Sequence, residues 1–107
     1  MSNTTRFVSN QRRQVEFDKM IQNISKDAQI SYTLAQKYTE LAICAWESSE
    51  KRSVNTLVNE NVEARTEQIS KMLDYLRTYI KPLINSEKHL DHALIDASIA
   101  LEDIYKI

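Results

Sequence analysis

The 107-residue chain contains no glycine. Glycine reaches the left-handed backbone of tight turns at little cost, and the favoured two-residue hairpins depend on positive φ. A hairpin-rich β architecture is therefore disfavoured. A P-loop and a glycine-fingerprint dinucleotide site are excluded, because their backbones must approach phosphate closely. A serine nucleophile elbow, which needs flanking glycines, is excluded as well. The only proline is Pro82. Long helices remain, joined by turns expected to rest on Ser or Asn.

Apolar spacing supports the same class. Ile24, Ala28, Ser31, Ala35, Tyr38, Ala42 and Trp46 recur at alternating steps of four and three, the interval of a coiled-coil seam. At about 100° per residue they fall in a band roughly 80° wide. Lys26, Gln29, Thr33, Gln36, Lys37, Glu40 and Glu47 take the opposite side. Ala28, Ala35 and Ala42 lie seven apart, and small residues at that interval let a neighbouring helix approach closely. Phe17 and Ile21 continue the phase, which predicts one helix over 14–50. A competing signal is Ser25, a plausible N-cap with Asp27 suited to a first turn.

Ser48 to Ser53 lacks a large apolar residue and should hold a reversal, with Ser53 capping the next helix. That helix is predicted over 54–81 from Val54, Val58, Val62, Ile69, Leu73, Leu76 and Ile80. Arg65 and Thr66 interrupt the stripe, and Arg65 reads as a rim residue whose stem packs while its head reaches water. Pro82 should end the helix. Ser86 is the expected cap of a last helix over 87–106, with Leu90, Leu94, Ala97, Leu101 and Ile104 inward. Ile95 and Ile99 stand off that stripe by roughly 140° and 180°. They begin an apolar patch suited to another chain or to a folded-back N-terminal segment.

The expected fold is thus all-α: an antiparallel three-helix bundle with a long first helix, the alternative being a four-helix bundle with a break near Ser25. One domain is expected over 14–107, preceded by a flexible basic tail over 1–13. Arg6, Arg12 and Arg13 give that tail a charge of +3. The whole chain carries −1, which leaves −4 for the remainder. Cys44 is the single cysteine, which rules out an internal disulfide and fits a reducing compartment. No apolar run approaches the length of a membrane span, and the polar start offers no signal-peptide core. A cytoplasmic protein is expected.

Few residues point to chemistry. His89, His92 and Asp96 share one side of the last helix and could present ligands to a divalent ion. No second cluster of matching spacing accompanies them, so a polar face is the reading adopted. No Glu-x-x-His pair is present, so the carboxylate di-iron pattern is missing. Cys44 falls toward the polar side with no histidine nearby, and Glu102 and Asp103 diverge on a helix. The basic residues Lys71, Arg77 and Lys81 are interleaved with Glu67 and Asp74 and form no continuous stripe. Trp46-Glu47-Ser48 lacks the glycine that defines the small WXG helical hairpins, and no motif links the chain to a family.

The expectation is a non-catalytic protein-binding helical module: an inhibitor, immunity protein, assembly chaperone or subunit of a helical complex. It has no cofactor and no metal. Its partner is another protein or a second copy, and no membrane is involved. The partner-binding residues are Ile95, Ile99, His92 and Asp96, together with Arg6, Arg12 and Arg13 of the tail. The alternative is a nucleic-acid-associated regulator that uses the tail.

Overall fold

A computed structural model describes residues 11–105. Arg6 and the rest of the expected tail up to residue 10 lie outside the described residues. Among the described residues the chain is helical, with no strand. It forms α1 (Gln11–Ala28), α2 (Tyr32–Glu50), a 3-10 segment (Val54–Asn59), α3 (Val62–Ile80), a short 3-10 turn (Lys81–Leu83) and α4 (Glu87–Ile104).

The uninterrupted rod over 14–50 is not present. α1 stops at Ala28, and Gln29 turns left-handed with φ 58°. Gln29 N–H donates to the Lys26 carbonyl at 3.4 Å and Ile30 N–H to the Ser25 carbonyl at 3.1 Å, the paired bonds of a Schellman ending. Ser25 is therefore no N-cap: its hydroxyl donates to the Ile30 carbonyl at 2.6 Å and fastens the ending from the other side. The next cap is Ser31, expected on the buried seam but exposed, whose Oγ accepts from Leu34 N–H at 3.1 Å. Gln11, Arg12 and Arg13 already belong to α1.

The second reversal also uses a left-handed residue. Lys51 adopts φ 53°, and its N–H returns to the Glu47 carbonyl. Neither Ser nor Asn fills these positions, contrary to expectation. A left-handed residue with a Cβ costs roughly 1–2 kcal/mol. Gln29→Gly and Lys51→Gly should each raise stability by about 0.5–1 kcal/mol, after allowing for the greater freedom of the unfolded glycine chain. Urea unfolding of the two variants measures this directly.

The helix predicted over 54–81 divides in two. Asn61 Oδ1 accepts from Ala64 N–H at 2.8 Å and starts α3 afresh. Val54 and Leu57 are buried from the preceding 3-10 segment, whereas Val58 is half-buried and Val62 is 67% exposed. Ser53 does cap that segment, its Oγ accepting from Asn55 N–H. Ser86 Oγ accepts from His89 N–H at 3.4 Å at the head of α4. Pro82 follows directly on the end of α3, as its missing N–H requires.

One core joins the four α-helices and the Val54–Asn59 segment. Ala28, Ala35 and Ala42 are buried, together with Phe17, Ile21, Ile24 and Trp46. Tyr38 is only half-buried. Leu90, Ala97, Leu101 and Ile104 face inward on α4 as the spacing implies, but Leu94 is half-buried and Ala93 takes its place inside. α1 packs most extensively on α4, and α2 on α3. α1 and α4 run antiparallel: Arg13 Nε donates to the Ile104 carbonyl at 3.3 Å, while Asp27, at the other end of α1, meets His92 and Asp96. Arg13 is thus a fold contact rather than part of a detached arm.

α2 is turned relative to the expected phase. Thr39 and Glu40 are buried, and Leu34 and Leu41 stand about 40% exposed. Once the chain restarts at Ser31, nothing obliges α2 to keep the phase of α1. Cys44, read as facing the polar side, is half-buried and packs against the core.

Candidate functional site

Ile95 and Ile99 occupy successive turns of α4 and are 57% and 55% exposed. Beside them, where α1 lies against α4, runs an open groove of about 170 Å³. Met20, Ile99 and Ala100 supply its apolar wall. Asp96 and Asp103 line the α4 side and Glu16, Lys19 and Asn23 the α1 side. Lys19 is engaged by Glu16 at 3.3 Å, so the rim is acidic on balance. Asp96, expected near the patch, is therefore in the groove; His92 is exposed one turn further on.

The groove leads toward a cluster of titratable groups at the C-terminal turn of α1. Asp27 lies against Asp96 and His92 of α4. Its Oδ2 is shut off from solvent and accepts no ordinary hydrogen bond. Burial, then the hydrogen-bonding reach and negative charge of Asp96, push the Asp27 carboxyl up to about 6, while His92 and Lys26 oppose the rise. The negative end of the α1 dipole disfavours the ion further. The sequence suggests only a first-turn acid at Asp27; its meeting with His92 and Asp96 is tertiary, and no local spacing announces it.

The other expected site residues are scattered. Among the described residues no group of three His, Cys, Asp or Glu side chains is placed to hold a metal ion, so His89, His92 and Asp96 do not converge as a ligand set. Arg12 is exposed at the start of α1. Arg65 is half-buried and lines a second depression of about 220 Å³ with Val62, Thr66, Ile69 and Glu102.

A second apolar stripe, not anticipated, lies on α2. Leu34, Tyr38 and Leu41 follow steps of four and three, and Lys37 Nζ sits 5.7 Å from the centre of the Tyr38 ring. The spacing alone puts Tyr38 on the inner seam, whereas the side chain is only half-buried.

The polar interior is structural. Trp46 Nε1 donates to Gln68 Oε1 at 3.1 Å, and the Tyr105 hydroxyl donates to the Val54 carbonyl at 3.1 Å. Burial raises the Tyr105 phenol far above its ordinary value and keeps it a donor. Lys71 bridges to Glu50 at 3.0 Å between α3 and α2, which lowers the Glu50 carboxyl. Among the described residues no helix is long and apolar enough to cross a membrane. Comparison with family models, curated proteins and solved structures finds no match for the chain.

Proposed function

We propose that the protein is a non-catalytic protein-binding module, its helices arranged as a four-helix bundle, and that a partner docks on the α4 face around Ile95 and Ile99. The observation that carries this reading is the pair of exposed isoleucines on successive turns beside the α1–α4 groove. Burying one such side chain contributes about 1.5–3 kcal/mol, so two of them supply a useful anchor. A helix laid along the groove would insert apolar residues at i and i+4, and basic residues at its edges would match the acidic rim. An inhibitor, assembly chaperone or subunit of a helical complex would use such a face, and a second copy of the chain is one candidate partner. The single Cys44 suits a reducing compartment, and we place the module in the cytoplasm. The nucleic-acid alternative is not adopted: Arg13 holds the Ile104 carbonyl, and the chain as a whole carries a net charge of −1.

The double change Ile95→Glu and Ile99→Glu should weaken self-association or partner capture at least tenfold, a loss of about 1.4 kcal/mol or more. Helical content by circular dichroism should be unchanged, because both side chains are solvent-facing. Undiminished association would remove this face as the docking site.

A further inference from the structure

We propose that Asp27 and Asp96 share one proton, and that this proton fastens the C-terminal turn of α1 to α4 and frees it when both carboxyls are ionised. The Asp27 Oδ2 is shielded from solvent and accepts no hydrogen bond. Asp96 from the facing helix brings a second carboxyl into hydrogen-bonding reach of Asp27. Two carboxylates offer only acceptors, so a fully ionised pair repels with nothing between its oxygens. One proton turns an acceptor into a donor and makes the contact cohesive.

The position gives the proton leverage. Asp27 is one residue from the end of α1 and two from left-handed Gln29. The Schellman bonds of Ile30 and Gln29 are therefore adjacent to the pair. Loosening it disturbs the α1–α2 corner and leaves the Phe17 end of α1 in place. The charged groups facing Asp27 are Lys26 from its own helix and His92 and Asp96 from α4. Lys26 and His92 both favour the ion, so they oppose the fastener rather than create it.

The sign follows from linkage. Asp27 takes up its proton near pH 6 when folded and near 3.8 when unfolded. The folded state holds the proton more tightly, so the contribution is complete below the unfolded value and is lost as pH rises through about 6. The corner should therefore tighten on mild acidification, before general acid unfolding begins.

The test is a carboxyl NMR titration of the full chain with amide hydrogen exchange over Asn23–Ser31, on wild type, Asp27→Asn, Asp96→Asn and His92→Gln. In wild type one carboxyl of the pair should titrate near pH 6, and opening of the corner should increase several-fold between pH 5 and pH 7.5, within the roughly tenfold that a carboxyl moved from 3.8 to about 6 allows over that window. Asp27→Asn should abolish that change and keep the corner closed at pH 7.5. In Asp96→Asn the Asp27 carboxyl should titrate lower than in wild type. His92→Gln should keep the pH dependence, because the imidazole is not the fastener. Two carboxyls titrating near 4, or pH dependence that vanishes in His92→Gln and survives in Asp27→Asn, would overturn the proposal.

Discussion

Trp46→Ala should destabilise the protein by about 3–5 kcal/mol, the range for removing a large buried aromatic, measured by urea unfolding. Trp46 has no solvent exposure and lies in the common core. The change leaves a cavity where α2 meets α3 and strands Gln68 Oε1, which accepts the indole N–H inside a residue only 6% exposed. Trp46→Phe separates the two effects. It keeps most of the ring volume and loses the bond, so its cost should fall to about 1–3 kcal/mol, mainly the penalty of the unsatisfied amide oxygen. Equal stability of Trp46→Ala and wild type would deny the indole its place in the core.

Phe17→Ala should cost about 3–5 kcal/mol as well, from a different helix of the same core. Phe17 is fully buried on α1, the helix that packs most extensively on α4. The Phe17 variant should unfold in one transition, with helix and tryptophan signals coinciding, because Phe17 and Trp46 belong to one cluster. A Phe17 variant whose α1 melts alone, ahead of the tryptophan signal, would make α1 an appendage rather than a wall of the core.

Helix existence was legible in the spacing, and helix limits much less so. Pro82 and Ser86 mark their boundaries because their chemistry is local: a missing N–H and a capping hydroxyl. The break after Ala28 was harder to see because its left-handed residue is Gln29, where a glycine or asparagine would have announced it. Ser25 was recognised as significant, but its hydroxyl closes the helix before the break instead of opening the one after it. The Asn61 cap is hidden in the sequence because Val58 and Val62 continue an apolar stripe across it, although Val62 is exposed.

The candidate site divides the same way. Ile95 and Ile99 were readable as exposed because α4 is regular and its buried stripe strong. Ala93, not marked by the spacing, is fully buried while Leu94 packs at the edge of the core, because a seam prefers the smaller side chain where helices approach. The groove and the Asp27–Asp96–His92 cluster were not readable, since they arise only where α1 lies against α4. Arg13 illustrates the converse: its charge suggested a partner, and its partner is the Ile104 carbonyl of the same chain.

The first half of the chain folds back on itself at Gln29, building a scaffold that displays the α4 face. Spin labels at Gln11→Cys and Ser48→Cys, in a Cys44→Ala background, measure it directly by pulsed dipolar spectroscopy. A continuous helix would place these positions about 55 Å apart at 1.5 Å per residue. The folded-back chain, with principal-axis extents of 37 × 29 × 23 Å, brings them closer together than that rod. A single distance well short of the rod length is the expected result, and a distance of about 55 Å would show an unbroken helix instead.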